Sequence, residues 1–338
     1  MPETLAGLGE FGLIARLEDL LGRQGRAAPG VVLGLGDDTA ILRPQPGNEL
    51  LVTCDTLVAG RHFLPGVIAP QELGRRAMAV NLSDIAAMGG QPLYALVSLG
   101  LQAQTLVAEV EQIYQGFLTE LNPWGAAVVG GNITKTEGPV FIDVTLIGQI
   151  AAGRALRRAG GRAGDAILVT GHPGQAAAGL RQLRQTPQQA DPELRRAYLP
   201  PTPRLAAGQA VALSGLANAM IDISDGLLGD LNHICEQSRA GALIEAARLP
   251  VSPALATAAR AWGLDPLELV LGDSDDYELI ITCAPERVPA LTAAFGAVGD
   301  LALSLIGHLT PAGQGLRLLE ANGQLRRLSP RGWDHFSS

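Results

Sequence analysis

Aspartates recur in four short segments of the chain, each beside glycine or within or just after an apolar run. They are Gly34-Leu35-Gly36-Asp37-Asp38-Thr39, Thr53-Cys54-Asp55-Thr56, Asn81-Leu82-Ser83-Asp84 and Asp222-Ile223-Ser224-Asp225-Gly226. Carboxylates brought from separate elements suit magnesium, which takes oxygen ligands in near-octahedral geometry and is commonly held by carboxylates together with substrate phosphates. Glycine turns let the backbone come close to a phosphate. Singly, three of the segments also have plainer readings. Asp37-Asp38 reads as a turn, Asp225 as the cap of a helix starting at Gly226, and Asp55 as the polar end of a strand. Asp84 is harder to set aside, because its helix is otherwise mostly small and apolar, and a carboxylate buried there needs a partner. Together the four segments point to magnesium ions held against phosphate groups.

Other phosphate and cofactor signatures are missing. No G-x-x-x-x-G-K-[ST] occurs, and the single lysine, Lys135, follows Thr134. The H-R-D loop of protein kinases is absent. Gly7-Leu8-Gly9-Glu10-Phe11-Gly12 spells G-x-G-x-x-G, but too few residues precede it to form the strand a dinucleotide fingerprint requires. His62, His172, His233, His308 and His335 lack metal-ligand spacing, and the residues alone give them structural or surface roles. Cys54, Cys235 and Cys283 are odd in number, far apart and fit no zinc pattern, which predicts reduced thiols in a cytoplasmic protein.

The elements that must position these residues alternate along the chain. Phe11, Ile14, Leu17 and Leu21 at helical spacing predict a helix over 10–21, and a long Ala/Met/Val-rich helix is expected over 70–88. Further helices are expected at 105–121, near 174–185, and at 204–214, 226–237, 252–262 and 286–295. The 187–203 stretch reads as a loop with a short helix. Strands are expected at 39–43, 50–54, 93–100, 126–130, 140–150, 166–170, 219–223, 277–283 and 303–308. Interleaved strands and helices give an α/β or α+β class. A chain of 338 residues is long for one core, and the Gly/Arg-rich stretch 153–164 marks the boundary between a domain of residues 1–152 and one of 153–338.

Bulk properties narrow the partners. With 47% hydrophobic and 17% charged residues the chain is globular. A net charge of −8 disfavours nucleic acid and anionic membranes. There is neither an uninterrupted apolar segment long enough to span a bilayer nor a signal-peptide pattern, so a soluble cytoplasmic enzyme is expected.

Read in order, the motifs carry a resemblance. GEFGLI (9–14), GLGDDTA (34–40), TCDTLVAGRHF (53–63), AVNLSDIAAMGG (79–90), GGN (130–132), GRALRRAG (153–160), GDAILVTG (164–171), PTPR (201–204), IDISDG (221–226), DYEL (276–279) and GWDHF (332–336) resemble the bacterial thiamine-monophosphate kinases, of the superfamily that includes aminoimidazole ribonucleotide synthetase. The resemblance runs nearly end to end. It implies a two-domain α/β fold with N-terminal strands pairing in a homodimer, and transfer of phosphate from ATP to thiamine monophosphate with several Mg2+ ions. Carried over motif by motif, it implies metal ligands at Asp38, Thr53, Cys54 (through its backbone), Asp55, Asp84, Asn132, Asp222 and Asp225. ATP contacts would be Tyr114, Gly131, Asn132, Arg158 and Ser224; substrate contacts would be His62, Asp275 and Trp333, the last stacking on the thiamine rings. The chain departs from the familiar pattern at Asp273-Ser274-Asp275, where many relatives have Gly-Gly-Glu, and at Asn132 and Cys54, where Asp and Thr are familiar. Related readings are another ATP-dependent synthetase of the superfamily and a nucleotide-binding regulator without turnover.

The implied chemistry explains the residue types. A phosphate monoester has a second pKa of about 6, so the acceptor is already largely ionised at neutral pH and needs no general base. The obstacle is repulsion between two anions, which calls for cations and positioning rather than a catalytic histidine or serine triad.

Overall fold

The computed structural model describes residues 3–25, 28–35, 39–296, 298–299 and 301–330. Asp37, Asp38, Trp333 and His335 lie outside them. The chain forms two compact units, one of Met1–Ile85 and Gly90–Gly153, the other of Ala86–Gly89 and Arg154–Ser338.

In the first unit, β1 (Val31–Leu33) and β2 (Ile41–Leu42) make a small antiparallel pair. A four-stranded sheet is built from β3 (Asn48–Val58), β4 (Gln91–Leu101), β5 (Ala127–Lys135) and β6 (Phe141–Ala151), in the order β3-β6-β4-β5. Only β4 and β5 are parallel, and the crossover that a parallel pair requires is the helix Val107–Leu121. β3 alternates: Leu51 and Leu57 are buried, whereas Leu50 and Val52 are 48% and 65% exposed. Helix Pro70–Ala87 lies on the buried face, with Met78, Leu82 and Ile85 wholly enclosed. β3 runs well past the expected end at 54, because Asp55 to Val58 continue to pair with β6 despite the polar letters of Asp55 and Thr56.

The helices Pro70–Ala87 and Val107–Leu121 cross at glycines. A Cβ on Gly74 would lie 1.9 Å from the Ile113 carbonyl oxygen, and one on Gly116 would lie 2.2 Å from that of Gln71. Gly74 thus makes a backbone-to-backbone contact that a larger residue would hold apart.

The second unit contains β7 (Ala166–Thr170), β8 (Ala217–Asp222), β9 (Ala240–Glu245), β10 (Leu279–Cys283), β11 (Leu303–Pro311), β12 (Leu316–Leu319) and β13 (Leu325–Leu328). Their order is β13-β12-β9-β11-β7-β10-β8, antiparallel except for β12 against β9. Both faces are covered. Ile167 and Val169 join a core with Leu227, Leu231 and Leu255 of the flanking helices, while Ala166 and Leu168 join another with Val211, Leu291 and Phe295. Helices on both faces explain why β7 and β10 read as unbroken apolar runs rather than alternating ones. The fold is therefore a mixed, largely antiparallel α/β arrangement in two units, as the strand–helix alternation predicts.

β1, β9 and the β12–β13 hairpin are absent from the expected elements. β9 begins immediately after helix Leu227–Ser238, with Arg239 at φ 53° making the whole turn, so no loop letters announce it. The hairpin does carry a signal, Asn322-Gly323, and the turn closes with the Gly323 N–H donating to the Glu320 carbonyl at 2.9 Å and Gly323 at φ 84°. Among the described residues no helix is long and apolar enough to cross a membrane.

Gly74→Ala is expected to destabilise the protein by about 1–3 kcal/mol or more through overpacking. Gly22, in helix Glu10–Gln24, has open space where a Cβ would project, with no atom within 4 Å, so Gly22→Ala is neutral or slightly stabilising. Thermal denaturation of the two variants beside the parent separates them; equal melting temperatures would refute the crossing.

Candidate functional site

In the first unit, β3 presents Thr53 and Asp55 to the face covered by helix Pro70–Ala87, and that helix presents Asp84 to the same place. The Thr53 hydroxyl donates to the Asp84 carboxylate, and Asp55, two residues on, shares the face of Thr53. The structure thus brings Thr53, Asp55 and Asp84 together as an all-oxygen patch. Cys54 points the other way. It is exposed, its Sγ lies 3.5 Å from Asp143 Oδ1, and it accepts from Thr145 Oγ1 at 3.5 Å. Burial and the neighbouring Asp143 hold its thiol pKa up, against the opposing Thr145 hydrogen bond. Only the Cys54 backbone lies in line with the Thr53–Asp55 face.

Gly131 and Asn132 are exposed on the edge strand β5. Gly131 pairs with Val97, which pairs with Val144 and so falls in the row of Asp55. A Cβ there would lie 1.9 Å from the Val97 carbonyl oxygen, which reserves the position for glycine. Asn132 pairs with Ser98, in the row of Asp143 and Thr56, on the face of Cys54. His62 accepts the Val58 N–H on Nδ1 at 3.0 Å, so the neutral ring carries its proton on Nε2 and offers a donor. Tyr114 is only 5% exposed, its ring edge-on to Phe117 at 5.1 Å, and burial raises the pKa of its hydroxyl.

In the second unit, Asp222 ends β8 and is buried, while Ser224 and Asp225 occupy the turn into helix Leu227–Ser238. Gly226 closes the turn at φ 120°, with Gly272 O 2.5 Å from where its Cβ would be. Arg158 is exposed, and its carbonyl accepts from Ser238 Oγ at 3.1 Å. Asp275 is half-buried on the segment leading into β10.

Several residues that shape this unit are not among the site residues the motifs imply. Asp230 Oδ2 accepts the backbone N–H groups of Ser224, Asp225 and Gly226 at 3.0, 3.0 and 3.2 Å. The turn is therefore held from within the helix that follows it. Burial pushes the Asp230 carboxyl up to about 7 in spite of those donors. An acid in the first turn of that helix is the only signal the sequence offers. Asp225, Asp230 and His233 place ligand atoms within 4.8 Å of one another, but Asp230 is already engaged by the three N–H groups. Glu278 is buried, takes a two-pronged contact from Arg204 at 2.8 and 2.5 Å, and accepts from Thr170 Oγ1 at 2.5 Å. Asp276 accepts from Gly174 N at 2.6 Å and Ala176 N at 2.9 Å.

Comparison with known proteins bears on the whole chain. The family model of AIR synthase related protein, N-terminal domain, matches residues 36–150, and that of the C-terminal domain matches 162–318. The thiamine-monophosphate kinase of Escherichia coli (strain K12) is 40% identical over 334 residues, covering 98% of this chain and 99% of the relative. The crystal structure of thiamine-monophosphate kinase from Stenotrophomonas maltophilia K279a is similar at TM-score 0.80 and 36% identity, over 94% of this chain and 98% of the other. A structure described as AaThiL complexed with AMPPCP and TMP is similar at TM-score 0.76 and 34% identity, over 97% of both chains.

Asp276 gives a pH prediction. Burial, aided by the adjoining Asp275, pushes its carboxyl up to about 7 against the donors Gly174 N, Ala176 N and Ser274. A raised acid holds its proton more tightly folded than unfolded. Its contribution is therefore full below the unfolded pKa of about 4 and is lost as pH rises through about 7. Denaturant titrations from pH 5 to 8 should show this fall, to which Asp230, also raised to about 7, adds its own, and Asp276→Asn should make it shallower. An unchanged slope in the variant would assign the dependence elsewhere.

Proposed function

Because the chain belongs to the thiamine-monophosphate kinase family of the AIR synthase related proteins, we propose that it transfers the γ-phosphate of ATP directly to thiamine monophosphate, giving thiamine diphosphate and ADP. The observation that carries this reading is 40% identity with such a kinase over 98% of the chain. A similar structure holding AMPPCP and TMP together fits a reaction in which donor and acceptor are bound at once.

The residues fit magnesium by the chemistry of their donors. Thr53, Asp55 and Asp84 offer a hydroxyl and two carboxylates from two elements, and oxygen-only sets of this kind are what magnesium takes. Asp222 and Asp225 supply carboxylates in the second unit, and Asp38 and Asn132 complete the ligands implied by the motifs. When bound, magnesium supplies the positive charge that offsets repulsion between the two phosphate groups. Without cations these carboxylates would repel both substrates, so they serve as holders rather than as direct phosphate contacts. Asp230 keeps the Ser224–Gly226 turn in one conformation, fixing Asp225 and the Ser224 contact to ATP. Arg158 adds a cation toward the ATP phosphates. His62, through its Nε2–H, Asp275 and Trp333 receive the acceptor, and Tyr114 and Gly131 the nucleotide.

We also infer a homodimer joined through the first unit. β3 is an eleven-residue edge strand with Leu50 and Val52 exposed, and β6 pairs with only one side of it. Light scattering should give twice the 35.1 kDa chain mass.

Incubation with ATP, magnesium and thiamine monophosphate should yield thiamine diphosphate and ADP, with thiamine as a poor control acceptor. A folded, ATP-binding protein that makes no diphosphate would overturn the reading. Chirally labelled γ-phosphate should emerge inverted, and retention would reveal a phosphoenzyme. Asp84→Asn should lose at least about 100-fold in turnover with the fold intact, since a few kcal/mol of electrostatic stabilisation go with it. Near-parental activity would remove Asp84 from the site.

A further inference from the structure

The segment Gly272–Glu278 is fastened at alternate residues. Ser274 Oγ accepts the Ala177 N–H at 3.1 Å. Asp276 accepts those of Gly174 and Ala176 and is hydrogen-bonded by Ser274. Glu278 is held by Arg204 and Thr170. All three are buried, at 6%, 8% and 5% exposure, whereas Asp275, between the first two, is half-buried. The donors at Gly174, Ala176 and Ala177 belong to the start of helix Gln175–Gln185, whose cap residue, Gly174, has no side chain to offer. The segment therefore satisfies groups that a helix start leaves open. Its other side meets the turn that carries Asp222 and Asp225. Tyr277, at φ 54°, donates its N–H to the Ile223 carbonyl at 2.8 Å, and Ile223 N–H donates to the Glu278 carbonyl at 2.7 Å. Gly226 packs on Gly272 and Ser274.

We propose that Ser274 is a positioning residue for the phosphate acceptor: with Asp276 it clamps the segment to the start of helix Gln175–Gln185, fixing where Asp275 is presented beside the Asp222–Asp225 turn. This rests on the function proposed above. The hydroxyl acts through geometry, since it bonds Ala177 N–H and Asp276 while the substrate-side residue is its neighbour. Removing it frees one end of the short segment bearing Asp275. The nucleotide contacts on the turn keep their own anchor in Asp230.

Ser274→Ala tests this, with Ser274→Thr, which keeps the hydroxyl, as the rescue. The KM for thiamine monophosphate should rise about 5- to 20-fold in the alanine variant, the effect of one lost positioning hydrogen bond. kcat and the KM for ATP should stay within about twofold, and the threonine variant should lie nearer the parent. Amide exchange, read without substrates, should quicken at Ala177 in Ser274→Ala. An unchanged acceptor KM, or equal rises for both substrates, overturns the positioning role; an unchanged exchange rate at Ala177 overturns the clamp. If the alanine variant does not fold, the threonine variant decides: parental kinetics and exchange support the clamp, and impaired acceptor KM despite its hydroxyl contradicts it. Absence of parental turnover on thiamine monophosphate would instead overturn the functional reading, and the acceptor role with it, leaving exchange to judge the clamp.

Discussion

Like charges resist being gathered, and this constraint governs how the chain is built. A site that holds cations through aspartates must concentrate carboxylates before any cation arrives, and each buried one carries a desolvation cost. In the second unit the cost is offset by backbone rather than by arginine wherever a turn has to be shaped. Asp230 collects three N–H groups from one turn and Asp276 two from one helix start. Arginine is used once among these anchors, at Glu278. Backbone donors hold a carboxylate in place without adding a full positive charge that would compete with a metal ion.

In the first unit the same problem is met by partial exposure. Asp55 and Asp84 are half-buried, and the neutral Thr53 hydroxyl meets Asp84. In the helix bearing Asp84, the buried Asn81 is held by its own helix, Nδ2 donating to Ala77 O at 3.0 Å. The Gly74 crossing lets the neighbouring helix pack at backbone distance.

Much of this could be read from letters alone. Apolar spacing locates the helix Pro70–Ala87 and most strands of both sheets, and the order of Asp-bearing motifs points to the family. Alternation along β3 already separates Thr53 and Asp55 from Cys54. Other features lie in contacts between distant segments. Nothing in Asp230 distinguishes it from an ordinary first-turn acid until the Ser224–Gly226 turn is seen to fold back over it. Ser274 looks like a departure from a pattern, yet it bonds a helix start 97 residues away. Asn132 shows the opposite limit, since its row on β5 depends on an irregularity in the β4–β5 register between Ala95 and Leu96. Tyr114, which motif matching assigns to the nucleotide, sits within the core of its unit.

The alternate fastening of Ser274, Asp276 and Glu278 also bears on how this stretch can change over time. Individual letters between the anchors, Asp275 apart, can be exchanged, because each anchor makes its own hydrogen bonds. Its length cannot. One residue gained or lost between Ser274 and Glu278 would shift the phase of inward and outward positions, sending Asp275 toward the helix start and Asp276 toward the surface. Related chains should therefore vary here by substitution and not by insertion or deletion, and the spacing from Gly272 to Leu279 should be a better marker of shared architecture than the identity of any residue within it.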